Sequence, residues 1–440
     1  MTYSARKYSL ACLLALLLAV LTGCRVIYHE NLESPEVVTS LKLVIRNYNN
    51  AYNNSNVYFA FRDGPVTGTI NGSAIVSGRV YSVADIGSGI ILQNVGGRIY
   101  FSLGSPLPVS NFPPEPVNPD IPSYNVRFDK IEITYNPNDS NSVANLTSID
   151  FFAIPLAIQT YAPSSTTPLQ VLTFTVPGNT IKTSLAQLAG NSNNVLLITT
   201  GGSFLRVLGP TLSPAGSYPS FASYVNQVRN SGYQARIKDL FTRPGNTPAT
   251  ITQCYNFTAS FDSQGNLRMN GGGSSFNGGP SVGPNHLIVL QANDLLQGIY
   301  SANPPYTVDG SPAQIGNNDV YAAAVRDVLA AFNYGFMNSS TIDPNTQTPF
   351  NQEPSAYWWR SPKAFQFLQP NAPNYNKYAA YLYNISSSYG QPFSDRWEKV
   401  QASLASSKVG TAEIDILPDT GSVPIQPLDI VGIHPGLNCI

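Results

Sequence analysis

The sequence is poor in charge. Asp, Glu, Lys and Arg make up 11% of its 440 residues, against roughly 25% in an ordinary soluble domain. The formal net charge of −1 gives no electrostatic basis for binding nucleic acid, so no nucleic-acid partner is expected. In such a chain, acids embedded in apolar, β-rich segments are better candidates for chemistry than for solubility. Glu132 and Asp150 are two such acids.

Histidine is also scarce. The three histidines, His29, His286 and His434, are scattered and match neither a zinc site nor a Ser-His-Asp triad. The glycine run Gly271–Gly273 continues into Ser- and Asn-rich sequence, which is typical of a flexible turn and not of a phosphate-binding loop. We therefore expect neither a metal nor another cofactor.

A long hydrophobic run occurs at the N-terminus. A positively charged start precedes the apolar run Leu10–Leu21, which suits a secretory signal and is short for a membrane span. The run ends at Leu21–Cys24, which resembles the lipobox of bacterial lipoproteins. The resemblance implies that residues 1–23 are a signal peptide and that Cys24 carries lipid. Lipid on Cys24 would anchor the protein to a membrane without spanning it.

The residue after this motif favours a location. Arg25 stands where an aspartate commonly retains lipoproteins in the inner membrane. We therefore expect a lipid-anchored protein of the bacterial cell envelope, at the outer membrane or the cell surface. The alternative is an ordinary secretory signal with an incidental cysteine. Cys254 and Cys439 remain in the mature chain, and they form either a disulfide or two separate thiols.

The body of the chain is rich in turns and short strands. After the lipidated cysteine and tether of residues 24–40, strand candidates separated by Gly, Pro and Asn predict a β sandwich or barrel over residues 41–160. Residues 161–415 mix helix and strand patterns, with some strands returning to the β domain, and residues 416–440 form a C-terminal tail. Helical spacing is strongest over Val320–Phe336. The predicted fold class is mainly β with α/β, and we expect a monomer.

The first acid lies in a strand candidate. Side chains alternate between faces along Val126–Asn136, so Glu132, Thr134 and Asn136 share one face while the other is largely apolar. A carboxylate, a hydroxyl and an amide in a row are what the wall of a polar cleft requires. The alternative is a solvated face of an antiparallel sheet.

The second acid lies in the next strand candidate, Leu146–Pro155. Strict alternation puts Thr147 and Asp150 on opposite faces. If both line a cleft, a bulge or a strand end must lie between them. Phe151 and Phe152 give Asp150 a partly apolar setting.

Several runs together carry a family resemblance. Gly97–Gly104, Glu132–Asn136 and Ala144–Phe151 resemble glycoside hydrolase family 64, the bacterial endo-β-1,3-glucanases. The resemblance extends more loosely over residues 41–415 and includes Tyr389–Asp395, where the family tends to have a Tyr-Gly…Tyr-Asp-Asp pattern. It implies a thaumatin-like β-barrel or sandwich domain beside a mixed α/β domain, with an open groove between them.

The resemblance also implies an activity. The family cleaves β-1,3-glucan internally, inverts the anomeric centre and releases a five-sugar product without a cofactor. Glu132 matches its general acid and Asp150 its general base. In an inverting enzyme these groups stand roughly 6.5–9.5 Å apart, with a water between them. The substrate-binding positions implied here are Thr134, Asn136, Asn145, Thr147 and Asp395.

Two positions depart from the family pattern. Asn141 stands near the place where family members can carry a tryptophan for sugar stacking, and Ser394 replaces the first of two paired aspartates. The missing tryptophan affects one subsite and so the product length. Trp358 either supplies stacking instead or lies in the core. The alternatives to catalysis are a non-catalytic glucan-binding lipoprotein on the same scaffold, and a structural envelope protein or adhesin.

Overall fold

The computed structural model describes most of the chain. The described residues are 38–87, 89–108, 113–244, 250–275, 283–301, 303–317, 319–343, 346–358, 374–391 and 400–428. They belong to one compact unit. None of the helices in these residues is long and apolar enough to cross a membrane.

Strands dominate the structure. In chain order the strands are β1 Leu41–Asn47, β2 Val57–Arg62, β3 Val66–Ile70, β4 Ser73–Ala74, β5 Tyr81–Ser82, β6 Ile90–Leu103, β7 Arg127–Tyr135, β8 Val143–Thr147, β9 Phe151–Phe152, β10 Leu156–Tyr161, β11 Pro168–Leu172, β12 Leu196–Ile198, β13 Phe204–Leu208, β14 Ala235–Pro244, β15 Thr250–Phe261, β16 Leu267–Ser275, β17 His286–Leu290, β18 Tyr306–Val308, β19 Ser311–Ala313, β20 Ser388–Tyr389, β21 Gln401–Ser403 and β22 Thr411–Ile416. The helices are α1 Gly178–Leu188, α2 Ala222–Asn230, α3 Ala292–Ser301, α4 Val320–Tyr334, α5 Ser355–Trp358 and α6 Lys377–Ile385.

The largest sheet has 13 strands and is a nearly closed barrel. Its main path runs β11-β10-β22-β1-β6-β7-β8-β20, with β21 also paired to β8. A side-chain hydrogen bond links β21 to β11, the first strand of this path, because the Ser403 backbone N–H donates to Gln170 Oε1 at 2.9 Å. Late strands therefore complete a sheet that early strands begin.

Two hydrophobic cores stabilise this arrangement. The first is formed mainly by the barrel strands, with Phe59, Ile99 and Ile131 almost inaccessible to solvent. The second lies between the six-stranded sheet β14–β19 and the helices, chiefly α4. The predicted division into domains at about residue 160 stays a prediction. The fold class, mainly β with α/β, is confirmed.

Helix α4 shows how closely local sequence specifies an element. The Asp319 side chain caps its N-terminus by accepting from the Ala322 backbone N–H at 2.8 Å. Gly335 ends it in the left-handed region, with φ of 78°. The predicted helix Val320–Phe336 thus differs from the observed one by only two residues.

Cys254 is the one cysteine among the described residues, and it is disulfide-bonded. Its partner lies outside these residues, so the pairing with Cys439 stays a prediction.

Candidate active site

A polar cleft of about 350 Å³ opens on three adjacent barrel strands, β6, β7 and β8. Glu132 is at its centre. The lining residues are Asp63, Gly97, Arg98, Glu132, Ile133, Thr134, Val143 and Asn145. The predicted polar face of β7 therefore lines this cleft at Glu132 and Thr134.

Strand register aligns the central residues. In the antiparallel pairs β6–β7 and β7–β8, Glu132 lies opposite Arg98 on one side and opposite Asn145 on the other. Directly opposed side chains project from the same face of a sheet, with Cβ atoms about 4.5–5.5 Å apart. A guanidinium, a carboxyl and an amide therefore form a row across the floor of the cleft.

Glycines let the turn after β2 approach this row. A side chain at Gly97 would meet the backbone carbonyl oxygen of Arg62 at 2.4 Å, and Gly97 itself has a φ of 138°. A side chain at Gly64 would meet the carbonyl oxygen of Gly96 at 1.6 Å. This close packing of backbone on backbone places Asp63 beside Arg98.

The Glu132 carboxyl has two partners. Arg98 Nη2 lies 3.4 Å from Glu132 Oε1, and the Tyr389 hydroxyl donates to Glu132 Oε2 at 2.6 Å. Tyr389 belongs to β20, which pairs in parallel with β8. The Glu132 side chain remains 32% exposed, which leaves it open to a ligand in the cleft.

Arg98 has a second carboxylate partner. Its Nη1 lies 3.3 Å from Asp63 Oδ2, an oxygen that also accepts the Tyr100 hydroxyl at 2.6 Å. Burial disfavours the charge on Arg98, but the interactions with Tyr100, Glu132 and Asp63 outweigh it and raise the pKa of the guanidinium. Burial, followed by the hydrogen bond to Asp63, raises the pKa of the Tyr100 phenol. Arg98 is therefore a permanent cation between two acids.

Asp150 lies just beyond the end of β8. The predicted strand Leu146–Pro155 is wrong as one element, because β8 ends at Thr147 and the chain bends before β9 begins at Phe151. β9 then pairs with β13 in a different sheet. This bend is a strand end of the kind that the alternation argument required between Thr147 and Asp150.

Lys130 connects Asp150 to β7. Lys130 Nζ lies 3.1 Å from Asp150 Oδ2 and 4.4 Å from the centre of the Phe151 ring. The Lys130 side chain is 4% exposed, whereas that of Asp150 is 34% exposed. Lys130 and Glu132 are two residues apart on one strand, so they share a face with about 7 Å between their backbone positions. Asp150 thus contacts the β7 residue two positions before Glu132, but it is not among the residues that line the cleft.

The other end of this face is covered. Phe128 contacts Phe151 edge to face, with ring centres 5.3 Å apart. The Arg206 guanidinium of β13 lies 4.5 Å from the Phe128 ring centre and donates hydrogen bonds to two backbone carbonyls. The face of β7 therefore changes from buried at Phe128 and Lys130 to open at Glu132 and Thr134.

The remaining predicted residues lie at different distances from the cleft. Thr134 is exposed in its wall, and Asn145 is buried in its floor. Thr147 lies two residues further along β8, is 4% exposed and pairs with Tyr389. Asn136 is exposed just after β7, where its Oδ1 accepts from the backbone N–H of Asn138.

Other predictions fall elsewhere. Asp395 and Cys24 lie outside the described residues. Trp358 is fully buried and donates to the Phe350 carbonyl oxygen at 3.1 Å, so it belongs to the second core and not to a sugar-stacking surface. No group of three or more His, Cys, Asp or Glu in the described residues is arranged to hold a metal ion.

Sequence reasoning assigned no role to four residues that shape this site: Asp63, Arg98, Lys130 and Tyr389. Arg98 and Tyr389 lie in runs that carried the family resemblance, and Lys130 lies on the face that was predicted to be polar. Asp63 gave no sequence signal other than a charge followed by Gly-Pro in a chain with little charge.

Comparisons with known proteins show the family and the fold. The sequence model of the β-1,3-glucanase family, glycoside hydrolase family 64, matches residues 75–409. A laminaripentaose-producing β-1,3-glucanase, solved in complex with laminaritetraose, is similar at 18% identity with a TM-score of 0.56, over 87% of this chain and 100% of that one. A β-1,3-glucanase domain from Clostridium beijerinckii is similar at 18% identity with a TM-score of 0.55, over 86% of this chain and 98% of that one. At these identities the likeness shows the fold. No curated protein matches the chain.

Proposed function

This chain belongs to glycoside hydrolase family 64, the β-1,3-glucanase family, and we propose that it cleaves internal bonds of β-1,3-glucan with inversion of the anomeric centre. The observation that carries this proposal is the polar cleft with Glu132 at its centre and Asp150 tied to Lys130 on the same strand face. The glycoside hydrolase class follows from the family. The stereochemistry and the assignment of residues are the proposal.

Glu132 is the proposed general acid. It lies in the cleft with one oxygen hydrogen-bonded to Tyr389 and the other facing Arg98. An acid in this role must reach the glycosidic oxygen of a bound sugar, and the exposed part of the Glu132 side chain permits this. Thr134 and Asn145 lie beside it and offer a hydroxyl and an amide to sugar hydroxyls.

Asp150 is the proposed general base. Its ion pair with the buried Lys130 ammonium involves the ionised carboxylate, which is the form that activates a water. Its exposed part leaves room for that water. An inverting mechanism requires the base on the far side of the sugar from the acid, at roughly 6.5–9.5 Å.

Substrate contacts extend along β7 and β8. We propose that Thr134, Asn136 and Asn145 line sugar subsites and that the products are close to laminaripentaose in length; Thr147, at 4% exposure beside Tyr389, is too buried to contact the sugar directly. Asp395 is a further proposed contact. The partner is the glucan chain itself, and the enzyme acts as a monomer.

The test is the hydrolysis of laminarin by soluble protein that lacks the first 24 residues. Glu132→Gln and Asp150→Asn should each lower kcat at least 1,000-fold while thermal unfolding stays close to that of the parent. The control Asp120→Asn removes one exposed carboxylate outside the cleft and should keep full activity. Proton NMR of the first product formed reports its anomer, and a β product would contradict inversion. Binding of laminarin without new reducing ends would favour a non-catalytic binding protein.

The location is a separate proposal. We propose that Cys24 is lipidated and holds the enzyme at the bacterial envelope, because the motif that ends at Cys24 has the lipobox pattern. Expression of the full chain in a Gram-negative host with labelled palmitate should label the wild type and not Cys24→Ala. Equal labelling of both would contradict the proposal.

A further inference from the structure

Arg98 lies between two carboxylates, and we propose that Asp63 is a positioning residue that shares Arg98 with Glu132 and so keeps Glu132 able to hold a proton. This inference rests on the proposed function, in which Glu132 is the general acid. Asp63 does not touch the substrate in this proposal. It acts through the guanidinium.

The need for such a residue follows from chemistry. A general acid must carry a proton when the substrate binds. A guanidinium paired closely with a carboxylate stabilises the ionised form and opposes that requirement. Arg98 nevertheless has value in the cleft, since its five N–H donors can orient the acid and bind sugar hydroxyls. A second carboxylate that attracts Arg98 weakens its pairing with Glu132. Arg98 can then stay in the cleft while Glu132 keeps its proton.

The distances agree with sharing. Arg98 lies 3.3 Å from Asp63 Oδ2 and 3.4 Å from Glu132 Oε1. Charge-assisted hydrogen bonds between a cation and a carboxylate are usually about 2.7–2.9 Å long. Neither carboxylate therefore has a full bidentate pair with Arg98, which is divided almost equally between them.

Asp63 is fixed where it stands. The Tyr100 hydroxyl donates to the same Asp63 oxygen at 2.6 Å. The backbone of Asp63 is left-handed, with φ of 67°, a conformation that Asp and Asn adopt more readily than other side-chain-bearing residues. The Gly64 and Gly97 contacts hold this turn against β6. A residue held this firmly at a cleft wall suits a positioning role better than a solvating one.

The effect of Asp63 on Glu132 has to be distinguished from the effects of the other charged or titratable groups nearby. β8 contributes no titratable side chain. Lys130 is already paired with Asp150. The groups supplied by the packed elements and by the neighbouring turn are Arg62, Asp63, Arg98, Tyr100, Lys130, Asp150 and Tyr389. Of these, Arg98 and Tyr389 contact the Glu132 carboxyl. Asp63 contacts Arg98, so its contact with Glu132 is indirect and runs through the Arg98 guanidinium.

The first test is Asp63→Asn with laminarin as substrate. The variant keeps the backbone preference and an acceptor for Tyr100 but loses the charge that attracts Arg98. The alkaline limb of the pH profile of kcat/KM, which reports the acid of the free enzyme, should move to lower pH. Activity on that limb should fall about three- to tenfold, with little change on the acid limb. An unchanged alkaline limb would overturn the proposal.

Arg98→Met provides the second test. Removing the cation should move the alkaline limb to higher pH, and adding Asp63→Asn to Arg98→Met should then move it by less than Asp63→Asn does alone. A shift in the double variant as large as that of Asp63→Asn alone would mean that Asp63 acts directly on Glu132 through its charge and would overturn the sharing of Arg98. The control Asp120→Asn makes the same charge change outside the cleft, and a shift there as large as in Asp63→Asn would also overturn it. If the wild-type protein does not hydrolyse laminarin, the proposed function fails. If the wild type is active but Asp63→Asn leaves the alkaline limb of the pH profile unchanged, only this inference fails.

Discussion

The Lys130 ammonium lies 3.1 Å from the Asp150 carboxylate and is almost completely shielded from solvent. A buried ammonium is costly unless it is paired, and Asp150 provides the pairing from the bend after β8. This pair joins a strand of the barrel to a segment that enters another sheet. It fixes the position of the proposed base relative to the strand that carries the proposed acid.

Lys130→Met should therefore affect activity more than stability. Methionine has nearly the same length and removes the buried charge, and the partner that remains, Asp150, is 34% exposed and so is not left as a buried unpaired charge. We expect kcat on laminarin to fall at least tenfold, because Asp150 is no longer held, with a melting temperature within a few degrees of the wild type. Lys408→Met, at an exposed position, is the matched control. Full activity of Lys130→Met would show that Asp150 needs no such support.

Tyr389→Phe removes the hydroxyl that donates to Glu132 Oε2 at 2.6 Å. The proposed acid then loses an orienting contact that comes from a distant part of the chain. We expect kcat to fall about tenfold with KM nearly unchanged, and stability to fall by about 1 kcal/mol, the usual net value of one hydrogen bond. Steady-state kinetics and thermal unfolding measure both effects. Tyr58→Phe, also on a barrel strand, serves as the control, and an equal loss in both variants would indicate a general effect of removing a phenol.

Asp415 should make the protein less stable as pH rises. This side chain is buried on β22 and accepts from Gln159 Nε2 at 3.0 Å. Burial, reinforced by the nearby Glu413 charge, raises the pKa of the Asp415 carboxyl above its usual value of 3.8. The folded state therefore binds a proton that the unfolded state has already released, and stability declines between the unfolded and the folded pKa.

Asp415→Asn tests this directly. The amide stays neutral, so the decline in melting temperature from about pH 4 towards alkaline pH should be smaller than in the wild type. We expect the variant to be the more stable protein above pH 8. Parallel decline of both proteins would mean that other groups cause it. Asp294→Asn, in the first turn of α3, is a control of the same chemistry.

Asp419 should have the opposite pH dependence. Arg127 Nη2 lies 2.6 Å from Asp419 Oδ1, and both side chains are largely buried. Burial alone would raise the pKa of the Asp419 carboxyl, but the hydrogen bond and charge of Arg127 outweigh it and lower the pKa. The stabilisation is then present above about pH 4, the unfolded value, and is lost as pH falls through the lowered folded value.

Asp419→Asn should destabilise the protein at neutral pH by roughly 3 kcal/mol, because it leaves Arg127 buried without its counter-ion. Denaturant unfolding at pH 7 and at pH 3 checks both parts of this prediction. The difference between wild type and variant should shrink at the lower pH. A constant difference would place the effect in packing instead of charge.

The sequence predicted those features of the site that depend on residues close together in the chain, and it missed those that depend on residues far apart. Alternation along β7 is local, so it correctly placed Glu132 and Thr134 on one polar face. The bend before Asp150 depends on Phe151 joining a separate sheet through β13, which no local pattern reveals. Arg98 and Tyr389 reach Glu132, and Asp63 reaches Arg98, only through strand pairing and close backbone packing between segments far apart in the chain. Register and glycine packing between distant segments cannot be read from one sequence.

The parallel pairing of β1 with β22, in which Lys42 lies beside Thr411, sets a condition on how the protein is made. The first barrel strand also pairs with β6, but its other neighbour, β22, is absent until nearly all of the chain has been synthesised. Contacts this far apart in sequence form slowly. Until then β1 and β10 have open edges that can pair with other chains. A chain that stops before residue 411 should therefore aggregate during refolding, whereas the full chain should remain soluble.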